Sequence, residues 1–174
     1  MKVLFKITGA LLEFIKQDLS RPHEFAAERV GFISCRVGRL EPSGLVILAH
    51  DYDAVADEDY VNDASVGAMM GPAAIRKALQ FALNHEVGMF HVHMHDFSGI
   101  PTPSKIDLRE TAKFVPDFWN VRPQMPHGAI IVSRDALSGR CWYPGRKDPI
   151  GITEITIVGP QLRFIRGKNG TRAR

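Results

Sequence analysis

The chain is poor in cysteine and has no long hydrophobic run. Its two cysteines, Cys35 and Cys141, lack any C-x-x-C spacing, and neither a disulfide nor a catalytic cysteine is expected. Both lie in apolar, strand-like stretches, so buried free thiols in a reducing cytoplasm are expected. No apolar run approaches the ~18 residues of a membrane helix. The apolar start, MKVLFKITGALLEF, runs directly into Glu13 and Lys16 without a cleavage site and is read as folded structure, not a signal peptide. Repeats and linkers are absent. Neither charge sign dominates: 22 Lys and Arg stand against 19 Asp and Glu, a formal charge of +3. Much of that excess sits in the closing RGKNGTRAR, so nucleic acid is not an expected partner and residues 167–174 are read as a basic, disordered tail. The remaining 1–166 suits a single domain with one good core.

Apolar periodicity then lays out the elements. Lys2–Ile7 reads as a strand. Thr8 is placed to cap a helix reaching about Leu19, with Leu11, Phe14, Ile15 and Leu19 in its apolar stripe. Val30–Val37 and Leu45–Ala49 read as a hairpin about a turn at 41–44. Residues 50–65 carry six acids and no helical stripe. They lack the sixth-position glycine and closing glutamate of an EF-hand, so a solvated rim loop is expected. Pro72 opens a helix to about Asn84, with Ile75, Leu79, Ala82 and Leu83 on its buried side. A strand follows from Gly88, then a helix from Asp107 to about Val115. Ala129–Ser133, Arg140–Tyr143, Glu154–Val158 and Leu162–Ile165 complete the strands. This order implies an α+β fold, a mixed central β-sheet flanked by helices.

Phe90–Glu110, FHVHMHDFSGIPTPSKIDLRE, concentrates the chemistry. His91, His93 and His95 occupy alternate positions, so in a strand they share a face. Neighbouring members, about 6.5 Å apart at Cα, can close on one ion, whereas His91 and His95, about 13 Å apart, are at the edge of reach. Ser104-x-x-Asp107 reads as a capping box, and a returning helix N-terminus would set the Asp107 carboxylate against the strand as a third ligand. Two imidazoles and one carboxylate leave a tetrahedral position open, the catalytic arrangement of zinc. Capping and ligation are compatible, since Ser104 can brace the helix while its hydroxyl faces a substrate.

H-V-H-M-H-x8-S-x-x-D resembles the JAMM motif of the JAB/MPN metalloproteases. In that family H-x-H and S-x-x-D hold zinc, and an upstream glutamate in an E-x-x-G setting is the general base. Glu28-Arg29-Val30-Gly31 matches that setting. The eight residues between His95 and Ser104 are close to the family's spacing, which implies His93, His95 and Asp107 as ligands, Glu28 as base and Ser104 as oxyanion donor, with His91 either touching a ligand or a buried strand histidine. Met94 stands where the family often has serine or threonine, and Asp96 where it often has proline. The resemblance covers about residues 1–160 and implies a JAB/MPN-like fold with cytidine-deaminase-like layering.

It further implies one Zn2+ per chain and hydrolysis after the C-terminal glycine of a ubiquitin-like protein, either from a precursor or from conjugates. The chain is similar in style to stand-alone bacterial, cytoplasmic, deubiquitinase-like peptidases of ubiquitin-like conjugation operons linked to antiphage defence. E1/E2-like proteins of the same operon would then be partners. Loops 51–70 and 112–128 correspond to the segments that cradle the modifier's tail. The other readings are a JAMM hydrolase of small peptides or sulfur-carrier conjugates, and a non-catalytic MPN scaffold.

Overall fold

A computed structural model describes residues 1–40, 43–63 and 65–167. Residues 41–42 of the expected turn and the tail from 168 onward lie outside the described residues. β1 (Lys2–Thr8) turns Val3, Phe5 and Ile7 inward by strict alternation. The Thr8 hydroxyl accepts the Leu11 N–H and starts α1 (Gly9–Leu19), which buries Leu12, Ile15 and Leu19 against β1, β3 and β4. β2 (Val30–Leu40) and β3 (Gly44–Ala54) form a long antiparallel pair with a register shift at Ser34/Cys35.

α2 (Pro72–His85) follows, then β4 (Gly88–Met94), α3 (Lys105–Phe114) and a 3-10 segment, Val115–Asn120. The last strands are β5 (His127–Val132), β6 (Leu137–Trp142), β7 (Ile150–Gly151), β8 (Glu154–Val158) and β9 (Arg163–Arg166). All nine described strands join one mixed sheet in the order β7-β6-β5-β4-β2-β3-β1-β8-β9. The fold is therefore α+β. The short link from β7 to β8 joins distant parts of the sheet: Ile152 N–H donates to Gly139 in β6 and Thr153 N–H to Val3 in β1, so the sheet curls. Among the described residues no helix is long and apolar enough to cross a membrane.

Two cores flank the central strands. One face carries Phe5, Ile33, Ile47, Phe90, Val92 and Ile130 under α1. The other carries Val30, Phe32, Met89, Phe114 and Phe118, with α2 against it. β4 and β5 are buried on both faces, which is why they read as almost continuous apolar runs. Cys35 and Cys141 are both buried and free, as expected.

Four expectations change. In α1, Phe14 of the expected stripe is exposed and Leu12 is buried instead. α2 lays down Ala74, Ala78 and Ala82, and Leu83 is 43% exposed. Small side chains at every fourth position let the helix axis approach the sheet closely, so the larger Ile75 and Leu79 flank the contact. β3 runs on to Ala54, into the acidic stretch expected to be a solvated loop. Parts of that stretch pack and pair. Tyr52 and Tyr60 are buried, Asp57 takes a two-point ion pair from buried Arg29, and buried Asp59 pairs with Lys77. These acids thus answer cations of the chain. Finally, β7 was not expected, because two residues carry no periodicity.

Gly31 has a packing reason. A Cβ there would land on the Tyr52 ring, whose hydroxyl donates to Asp18 Oδ2 at 2.6 Å. Gly31→Ala is expected to cost about 1–3 kcal/mol by overpacking, read as a lower urea midpoint. An unchanged midpoint would show that the ring moves aside freely. A second prediction concerns His127, which is fully buried. Its Nδ1 accepts the Met89 N–H at 3.1 Å while Nε2 faces the Arg122 carbonyl at 3.2 Å, the pattern of a neutral ring. Burial lowers its pKa to about 4, against a smaller opposing effect of the Arg122 bond. The unfolded chain takes up this proton below about pH 6.5 and the folded chain only near 4, so acid favours unfolding. This site should remove about 2 kcal/mol of stability between pH 7 and 5. His127→Gln should give a shallower loss over that interval, whatever its absolute stability, and parallel curves would refute the assignment.

Candidate metal centre

β4 carries His91 and His93 on the face shared with Phe32 and Phe114, and the chain leaves the strand at His95, still bonded to β5 through His95 N–H to Val132 O. The proline-rich loop 99–103 then returns the chain to α3. Ser104 is its N-cap: Oγ accepts the Asp107 N–H at 3.1 Å, and Asp107 Oδ2 accepts the Ser104 N–H at 2.7 Å. The expected capping box is present, and it aims the carboxylate at the histidines.

His93 Nε2 and His95 Nε2 are 3.1 Å apart, Asp107 Oδ1 is 3.4 Å from His93 Nε2, and Oδ2 is 3.5 Å from His95 Nε2. Ligands at 2.0–2.1 Å from one ion with tetrahedral angles stand about 3.3 Å apart. The three side chains therefore match three corners of a tetrahedron and could hold a metal ion. Burial works to raise the Asp107 carboxyl, but hydrogen bonding and charge at His93, followed by the Ser104 bonds, hold it well below the usual carboxylate range. It is thus a ready anionic ligand.

His91 does not join the group. It is buried between Phe32 and Phe114, its ring centre is 5.6 Å from that of His93, and neither of its nitrogens finds a partner among the described residues. Burial, then the charge of His93, lowers its pKa to about 3, so it is neutral. It lies beside His93.

Glu28 stands two residues before β2. The ladder of β2 with β4 ends at Val30 opposite His93, and Glu28 lines a groove shared with Met94 and Asp96. Glu28 is not among the atoms that converge at the centre. Two features hold its segment. Ala27 and Glu28 both donate their N–H to Gly67 O, and buried Arg29 donates to Arg21 O and Pro22 O while pairing with Asp57. A Cβ at Gly67 would stand 3.0 Å from Glu28 Cδ, so loop backbone lies directly on the carboxyl. Gly67, Arg29 and Asp57 were missed by sequence reasoning; a lone glycine in an acidic stretch carries no signal of its partner.

No family model and no curated protein matches the chain. Among solved structures it is similar to the STIL N-terminal domain of Trichoplax adhaerens, with 11% identity and a TM-score of 0.40 over 79% of this chain and 40% of that one. A likeness of this size bears on neither family nor activity.

The cap is testable by itself. Ser104→Ala is expected to cost about 1 kcal/mol of stability and Ser104→Asn to restore most of it, since Asn caps equally well. Equal urea midpoints for the native chain and Ser104→Ala would show that the cap bond contributes nothing.

Proposed function

We propose that this chain is a zinc-dependent peptidase of the JAB/MPN type, with a fold of that family. It hydrolyses the bond after the C-terminal glycine of a ubiquitin-like protein. The observation that carries the reading is the convergence of His93, His95 and Asp107 from an H-x-H strand end and a capped helix, with Glu28 on the neighbouring strand's approach. The donor set, two imidazoles and one carboxylate, fits zinc and leaves a corner open. Zinc held there supplies Lewis acidity, acidifying water and polarising a carbonyl.

The remaining work belongs to the chain. Glu28 accepts a proton from the attacking water and passes it to the leaving amine, so one water is consumed and an acid and an amine are released. Ser104 Oγ already accepts from the Asp107 N–H, which leaves its own proton to donate to the oxyanion that forms at the carbonyl. His91 and the Phe32 and Phe114 rings keep this side dry, which strengthens both contacts. An extended glycine-ended tail could add beside the site as a further strand.

Elemental analysis should find about one zinc per chain, lost in His95→Ala and in Asp107→Ala. Glu28→Gln should keep the metal and lose about 100-fold or more in kcat on a ubiquitin-like precursor. A protein that takes up no metal when zinc is restored would make the chain a scaffold and Ser104-x-x-Asp107 a cap alone.

A further inference from the structure

A cavity of about 320 Å³ opens beside the metal centre, with His93 and Asp107 in its wall. Its other walls are largely aliphatic, from Ile131, Leu137 and Ile152, broken by Thr102, Thr111, Ser138 and Arg140. Sheet register places Ser138 and Arg140. His93 pairs with Ile131 and Ile131 with Ser138, so these three form one row across β4, β5 and β6. His91, Ala129 and Arg140 form the next row. Paired residues share a face, and two strand spacings put Ser138 about 9.6 Å from His93 at Cα.

Among the described residues, the buried Ser138 Oγ lacks a hydrogen-bond partner, and Arg140 is met by an aromatic ring but by no acid. The Arg140 guanidinium carbon lies 6.0 Å from the centre of the Trp142 ring. An unpaired arginine beside an aliphatic cavity of ligand size suits an anion with an apolar body.

We propose that this cavity receives the leaving side of the substrate: a C-terminal extension of one or two residues, aliphatic, with a free carboxylate read by Arg140 and Ser138. The assignment rests on the peptidase reading above and deepens it. On the acyl side of the scissile bond the chain continues into the modifier and has no free carboxylate. In a lysine isopeptide the leaving amine also has none nearby. Only a short terminal extension brings one within reach. Two extended residues span about 7 Å, on the scale of the two strand spacings between His93 and Ser138. The cavity therefore favours precursor trimming over deconjugation.

The test is calorimetric titration of N-acetylglycyl-L-leucine and its C-terminal amide into the Glu28→Gln protein, before and after dialysis against a chelator. The acid is expected to bind about tenfold tighter than the amide, as a charge-assisted bond implies, in both states. Arg140→Met should erase that preference, Arg140→Lys should keep part of it, and Thr102→Trp at the exposed rim should weaken both probes. Equal binding of acid and amide, binding of neither, or a preference that survives Arg140→Met overturns the proposal. So does a preference that vanishes with the chelator, which would assign the carboxylate to the ion. Zinc content measured on the same samples separates the two ideas: bound zinc without acid preference overturns only the cavity assignment, and acid preference without zinc overturns only the peptidase.

Discussion

The antiparallel pairing of β2 with β4, in the register Val30 to His93, is the constraint on which the site depends. β4 is buried on both faces, so its alternation sorts Phe90 and Val92 into one core and His91 and His93 into the other. A slip of one residue would exchange the two sets. It would move two fully buried apolar side chains, each worth about 2 kcal/mol or more on burial, and would carry the histidines into the α1 core. The register is also pinned from outside the sheet. The Tyr60 hydroxyl accepts from Val30 N–H and donates to Val30 O at the start of β2, and the Tyr52 ring occupies the space over Gly31.

Much of this was legible, and the reason is local. His93, His95, Ser104 and Asp107 lie within one strand, one loop and one helix start, where periodicity and capping chemistry operate at short range. Thr8, Pro72 and the buried runs of β4 and β5 are of the same kind. What was not legible depends on distant partners. Acids at 57 and 59 look solvated until Arg29 and Lys77 are brought to them. The alanine stripe of α2 shows its value only against a sheet. Gly67 matters because Glu28, remote in sequence, lies beneath it. The curl of the sheet rests on backbone bonds from Ile152 and Thr153, which no side-chain pattern announces.

Two explanations of Ser104 and Asp107, a helix cap and a metal ligand, compete only while geometry is unknown. Oδ2 accepts the Ser104 N–H and stands 3.5 Å from His95 Nε2, while Oδ1 stands 3.4 Å from His93 Nε2 with no cap role. One carboxylate oxygen can therefore serve each task. The cap fixes a short side chain in one rotamer, and a ligand already fixed loses little freedom on binding. The first turn of a helix is also the favourable place for a carboxylate, which supports the ionised form on its own account.

The electrostatics of the surroundings follow from His91. A charged histidine so close to His93 would add positive charge beside the group that could hold a metal ion. Packing it between Phe32 and Phe114 removes its hydration and leaves it uncharged, at the cost of two ring nitrogens without protein partners. The wall thus offers a low dielectric without a competing charge, and in such surroundings the interactions of Asp107 and of any bound ion are stronger than in water. The positive charge that does lie near the site, on Arg140, is displaced by two strands along the cavity. There the charge lies in the same cavity wall as His93 and Asp107 but outside the group that could hold an ion.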